Sequence, residues 1–272
     1  KNCTSLAQIT IPENIVRLNG YVFDNCTGLK NVSLNDKITI IDGNAFYGCT
    51  ALTDIDLPEE LVSIGTNAFY KCVALKSITF PADVTTINSD AFNNCTALTS
   101  VYIPKSVTAI GEYAFAMNVD SDALLSEITF EENGAQKLNI GKYAFANLPE
   151  LTEITFPARV TLMTGILASG NDAAGNALYA APDTTWALNL SGSTYNSITK
   201  LETNMPALIK DTFYGCTSLA EINIANDAVE GITPAYSSLD GVLYNADKSV
   251  LIYCPVANVG IYNGTSPTYE IK

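Results

Sequence analysis

At 272 residues, with 47% apolar and only 15% charged side chains, the chain has the composition of a well-packed protein and not of a disordered one. Its net charge of −14 argues against nucleic acid and anionic lipid surfaces as partners, because gripping phosphates takes clustered Lys and Arg. There is no histidine, which removes Ser-His-Asp and Cys-His nucleophiles, and no apolar run is long enough to cross a membrane.

One frame begins at Cys3, Cys26, Cys49, Cys72 and Cys95, a period of 23 residues without drift. The copy from Cys49 to Lys71 reads CTALTDIDLPEELVSIGTNAFYK. A fixed period in the twenties predicts a solenoid whose length follows repeat number and not the size of one core. The chain is read as a single solenoid over 1–272. Regular repeats fill 1–165, an irregular insertion fills 166–200, and repeats resume over 201–272 with a hairpin-like unit.

Within each copy the run L-x-x-[IV]-x-[ILF] predicts a strand, at 6–11, 29–34, 52–57, 75–80, 98–103, 125–130, 151–156 and 219–224. Its apolar letters alternate with period two, which sets them on one face. Pro12, Pro58, Pro81, Pro104 and Pro157 follow directly and end the ladder, having no N–H to donate. Next, [VIL]-x-x-[IL] predicts a second, less regular extended wall. Gly43, Gly65, Gly111 and Gly141 are expected to allow a tight bend after it. Phe23, Phe46, Phe69, Phe92, Phe115 and Phe145 then predict a stacked aromatic column inside the coil.

Five of the seven cysteines share one column, and Cys216 rejoins it; only Cys254 lies outside. Asn118 and Leu148 stand in the same place in other copies. That exchange suits a packing position, so the thiols are expected free and buried, not disulfide-bonded. Zinc is disfavoured, because the thiols are one turn apart and not in close CxxC pairs.

The period loosens after Asn118. Leu98 to Leu125 is four residues longer than the repeat, through VDSDA, and Leu125 to Leu151 is three longer, through EENGAQ. Such inserts are expected to emerge as loops. From Gly165 the pattern degrades, Ala168 replacing the Phe, and Trp186 lies in a further expected strand. The pattern returns at Phe213. The run SSLDGVLYNADKSVLIYCP predicts a hairpin around residues 245–247, and a further strand begins at Tyr269. The chain opens inside a repeat, so a preceding portion carrying any export signal or anchor is expected to have been removed.

The letters CTSL, CTAL, AFxxC and IGxxAF together resemble the BspA-like, or Treponema-type, leucine-rich repeats. The run DGVLYNxDKxxLxxCP resembles a unit that interrupts or follows those repeats. The resemblance covers 1–165 and 205–255 and rests on period, Cys column and Phe column agreeing at once. It implies a right-handed leucine-rich-repeat superhelix with a parallel β-sheet along its concave side. It also implies a bacterial cell-surface or secreted protein that adheres to host matrix or cell-surface proteins, with no catalytic residues and no cofactor.

Two columns of the first strand are left free by the repeat. One runs Gln8, Asn31, Asp54, Ser77, Ser100, Glu127, Glu153 and Glu221. The other runs Thr10, Ser33, Asp56, Thr79, Tyr102, Thr129, Thr155 and Asn223. Strands one turn apart lie about 4.8 Å from each other, so these columns would form a continuous polar face, acidic in patches. The competing reading is that they are merely solvated. Tyr102 is the large aromatic among them and a plausible anchor. Asp54 and Asp56 lie about 7 Å apart along a strand, the gap of an inverting glycosidase pair. An open sheet gives no burial to raise an acid's pKa, and no DxDxDG loop surrounds them for calcium. Protein binding through this face is the leading expectation. Glycan binding through Tyr102, Trp186 and the 166–200 loops, or a spacer role for a domain elsewhere, are the alternatives.

Overall fold

The repeat leaves each copy with too little apolar surface to fold alone, so the copies stack. The computed structural model describes residues 1–119, 121–162, 212–213, 215–225, 234–239, 241–246, 248 and 251–253. The span 166–200, Trp186, Cys254 and the strand expected at Tyr269 lie outside these residues.

The first turn contributes β1 (Gln8–Thr10) and β2 (Arg17–Leu18), and the second β3 (Asn31–Ser33) and β4 (Ile40–Ile41). The third and fourth contribute one strand each, β5 (Ser63–Ile64) and β6 (Thr86–Ile87). Then come β7 (Ser100–Ile103) with β8 (Ala109–Ile110), β9 (Glu127–Phe130) with β10 (Leu138–Ile140), and β11 (Glu153–Phe156) with β12 (Val160–Leu162). β13 (Glu221–Ile224) precedes an antiparallel unit of β14 (Tyr236–Leu239), β15 (Val242–Asn245) and β16 (Leu251–Tyr253). The chain is therefore a parallel β-solenoid.

The wall expected to be less regular is the continuous one. β2, β4, β5, β6, β8, β10 and β12 form an unbroken seven-stranded parallel sheet. Leu18, Ile41, Ile64, Ile87, Ile110 and Ile140 are stacked and buried along it. β-Branched residues dominate these strands and suit the pleat. The first-strand wall pairs only in pieces: β1 with β3, β7 with β9, β11 with β13, and one bridge from Thr79 to Tyr102. The strands expected at 52–57 and 75–80 do not form. Asp54 and Asp56 occupy the middle of that gap, and aspartate is a poor strand former. Spacing is still held there, because Lys76 N–H donates to Thr53 O at 3.1 Å.

The bend after the second wall differs from its expectation too. Gly43, Gly65, Gly111 and Gly141 are absent from the positive-φ set. Left-handed backbone falls instead two residues before each Phe, at Tyr21, Asn44, Asn67, Asp90, Tyr113 and Tyr143. A second left-handed column precedes each cysteine place, at Asn2, Asn25, Gly48, Lys71, Asn94, Asn147 and Gly215. Gly65 and Gly111 are small for another reason. A Cβ on Gly65 would collide with the backbone of Asp42 and Gly43, and one on Gly111 with that of Asn88 and Ser89.

The Phe column is as expected. Successive rings from Phe23 to Phe115 stack with centroids 5.1–5.4 Å apart, and Phe145 follows at 5.9 Å. Their N–H groups donate forward to the next turn, as from Phe46 to Ala68 O at 2.8 Å. Beside them runs the thiol ladder. Cys49, Cys72 and Cys95 each donate Sγ–H to the carbonyl of the Phe one turn back, at 3.1–3.2 Å. Cys3, Cys26, Cys49, Cys72, Cys95 and Cys216 are all free, and all but Cys3 are buried. Asn118 does not fill the cysteine place as Leu148 does. It is exposed, while Met117 and Ala123, a residue of the VDSDA insert, are buried in the core.

The EENGAQ insert folds back over its neighbour as well as projecting. Arg159, fully buried, donates from Nη1 to Val107 O (2.8 Å) and Gln136 O (3.3 Å). Lys105 Nζ meets Glu131 Oε1 at 2.8 Å from the other side. Further on, Phe213 stacks on Phe145 at 6.3 Å, β13 pairs with β11, and Cys216 Sγ–H donates to Phe145 O at 3.0 Å. The antiparallel unit then docks on β13, with Ile222 N–H donating to Gly241 O and Ile224 N–H to Ser238 Oγ, both at 2.9 Å.

Candidate binding face

The first-strand wall sends Ile and Val inward and the free columns outward. Val32, Ile55, Ile78, Val101, Ile128, Ile154 and Ile222 are buried behind it. Gln8, Asn31, Asp54, Ser77, Ser100, Glu127, Glu153 and Glu221 are exposed, as are Thr10, Ser33, Asp56, Thr79, Tyr102, Thr129 and Thr155. Asn223 is half-buried.

Register brings most of these side chains together. Gln8 pairs with Asn31 and Thr10 with Ser33. Thr79 bridges to Tyr102, and Tyr102 is in register with Thr129. Glu153 pairs with Glu221 and Thr155 with Asn223, while β9 packs beside β11. Asp54 and Asp56 lie on the unpaired segment between those pieces. Tyr102 is 48% exposed.

The acidic residues of the face fall in two groups, Asp54 and Asp56 on one turn and Glu127, Glu153 and Glu221 on later ones. One position earlier on each strand runs Ala7, Lys30, Thr53, Lys76, Thr99, Ser126, Thr152 and Ala220. Lys30 and Lys76 thus flank the turn that carries Asp54 and Asp56. From Ser100 to Ile224 the described strands of this wall hold Glu127, Glu153 and Glu221 and neither Lys nor Arg. Two of these carboxylates are steered along the strand: Thr129 Oγ1–H donates to Glu127 Oε1 (3.3 Å) and Asn223 Nδ2–H to Glu221 Oε2 (3.2 Å).

Chemistry of the acid-base kind finds little to use here. Asp54 and Asp56 are both exposed, unlike a sheltered general acid. Among the described residues no group of His, Cys, Asp and Glu side chains is arranged to hold a metal ion. The thiols are sealed: burial pushes Cys49, Cys95 and Cys216 up to about 12, and Cys72 well above its ordinary value. A thiol that stays protonated is a poor nucleophile. No helix among the described residues is long and apolar enough to cross a membrane.

The sequence reading missed a set of half-buried groups on the turn-rich third side. Tyr47 stacks on Tyr70, and Tyr113 on Tyr143, each at 4.9 Å. Asp90 and Glu112 there are raised by burial. A tyrosine one place after Phe46 and Phe69, and two places before Phe115 and Phe145, was the available signal.

Residues 1–122 and 120–165 match the family described as BspA type leucine rich repeat region, in six copies. Among solved structures, a leucine-rich repeat protein of T. pallidum is 28% identical with a TM-score of 0.50, covering 55% of this chain and 67% of its own. A leucine rich cell surface protein of Faecalibacterium prausnitzii is 25% identical with a TM-score of 0.35, covering 83% of this chain and 61% of its own. The pneumococcal vaccine antigen PcpA shares the fold at 19% identity and a TM-score of 0.50, covering 93% of this chain and 47% of its own. The chain thus spans about half to two thirds of these proteins. No curated protein sequence matches it.

Proposed function

The chain belongs to the BspA-type leucine-rich repeat family, and from that premise we propose a non-enzymatic, protein-binding adhesion module of a cell-surface or secreted protein. Binding takes place on the first-strand face, and the partner is a host or cell-surface protein. One observation carries this reading: the first-strand columns that vary from turn to turn stand exposed together on one wall. Behind them the inward residues stay Ile or Val. A scaffold needs only the inward letters. Stacked strands make the outward ones an extended contact surface. Tyr102 supplies the large, rigid side chain that dominates many interfaces.

The test is capture of host extracellular proteins by the full chain, compared with the variant Asp54→Lys/Asp56→Lys/Glu127→Lys/Glu153→Lys. Loss of capture with an unchanged unfolding midpoint is expected. Equal capture moves binding off this face. A glycan array separates protein from sugar recognition, and hits that vanish with Tyr102→Ala would favour the sugar.

A further inference from the structure

We infer that two stacked tyrosine pairs on the third side, Tyr47 with Tyr70 and Tyr113 with Tyr143, are sites of oxidative coupling. Each pair joins neighbouring turns through a dityrosine bond when the chain meets hydrogen peroxide and a haem peroxidase. What the first-strand face binds has no bearing on this chemistry.

Coupling needs two phenols held together, and the coil holds these. In each pair the ring centroids lie 4.9 Å apart, with the planes 10° and 16° from parallel. Backbone bonds between turns pin each pair from both sides. Around the first, Phe46 N–H donates to Ala68 O and Gly48 N–H to Tyr70 O, both at 2.8 Å. Around the second, Tyr113 N–H donates to Lys142 O at 3.0 Å and Phe115 N–H to Ala144 O at 2.9 Å. The four tyrosines are half-buried, so a one-electron oxidant at the surface reaches them. Groups held in contact react as if at very high concentration. Tyr21 and Tyr102 are more exposed, but among the described residues neither ring stacks on another tyrosine. Lys1 lies over Tyr21, and Tyr102 stands beside Thr79 and Thr129.

The side chains that usually intercept an oxidant are out of reach. Cys26, Cys49, Cys72, Cys95 and Cys216 are buried, and so is Met117. Thiolate is the readily oxidised form of cysteine, and a thiol sealed in the core stays protonated. Among the described residues Cys3 is the exposed thiol.

In the coupling step each phenol gives up one electron and its hydroxyl proton. Part of the radical's spin density lies on the ring carbons beside the oxygen, and a C–C bond forms between one such carbon of each ring. Each of those carbons then passes its hydrogen to its own ring's oxygen, which restores both phenols. The two electrons and two protons removed reduce one hydrogen peroxide to two waters. The product is a covalent tie between adjacent turns, which restricts the unfolded chain as a disulfide would.

The experiment treats the full chain, in dilute solution, with a haem peroxidase and hydrogen peroxide. Dityrosine fluorescence is followed, and joined peptides are mapped by mass spectrometry. Peptides joining Tyr47 to Tyr70 and Tyr113 to Tyr143 are expected, with a yield per chain that does not fall on dilution. Tyr70→Phe/Tyr143→Phe keeps the ring stacks but removes one phenol from each pair, and should lose that yield. Tyr21→Phe should keep it. Joined peptides that come from other tyrosines, or a yield that falls on dilution, overturn the inference. So does an undiminished yield in the double variant, or oxidation of the buried cysteines before any tyrosines join. The peptide map is read on the wild-type chain, so it decides between these outcomes even if the double variant folds poorly.

Discussion

The two parallel walls of this solenoid are built from the same turns, yet one is a continuous seven-stranded sheet and the other is three pairs of strands, broken across residues 54–77 and again between β9 and β11. The continuous wall is rich in Ile, Val and Thr and keeps one register from β2 to β10, with a shift only where β10 meets β12. The interrupted wall carries the residues that change. At the first break Asp54 and Asp56 stand in place of strand formers; at the second, β9 and β11 both read EITF and still do not pair; at both, the neighbouring wall runs on unbroken.

The largest effect should come from the interior that serves both walls. Phe92→Ala removes a ring stacked on Phe69 and Phe115 and is expected to cost about 3–5 kcal/mol in denaturant unfolding. Gly111→Ala should cost about 1–3 kcal/mol, because its Cβ would strike the backbone of the preceding turn beside the continuous sheet. A neutral result would show that turn spacing is looser than the contacts imply.

A smaller change, of opposite sign, tests the gap itself. Asp54→Thr/Asp56→Thr should extend strand pairing across residues 54–56, stabilise by about 0.5 kcal/mol and slow their amide exchange. If exchange stays fast, the aspartates are not what interrupts the wall. The smallest effect is at the Lys105–Glu131 pair, which lies at the surface. Hydrogen bonds from Lys105 hold Glu131 below its ordinary 4.5. Its contribution is therefore present above 4.5 and lost as pH falls through the lowered value. The stability difference between wild type and Glu131→Gln should be slight at neutral pH and vanish in acid. A difference that persists in acid would point to packing instead.

Much of this was legible in the sequence, and the reason is periodicity. A residue that must sit in the same place every turn, such as Phe46 or Cys72, repeats at the same interval and declares itself. The outward columns were placed by the alternation of each strand, which needs only the inward letters to be known. Three things had no such signature. The left-handed columns hold Asn, Tyr, Asp and Lys, because a backbone need is met there by unrelated side chains. Arg159 replaces an ordinarily exposed residue, and its burial depends on an insert some 25 positions earlier in the chain. Asn118 sat in the cysteine column by count, but the following insert brings Ala123 into the core in that turn.

The contact between Phe145 and Phe213 has a consequence for how such a chain can change over time. The stack resumes there as though the intervening sequence were absent, since Cys216 reaches the Phe145 carbonyl just as Cys72 reaches that of Phe46. The two ends of the intervening sequence are held one turn apart by the coil itself, through the Phe145–Phe213 stack and the β11–β13 ladder. A change in length between Leu162 and Thr212 that leaves those ends one turn apart leaves every contact on either side in place.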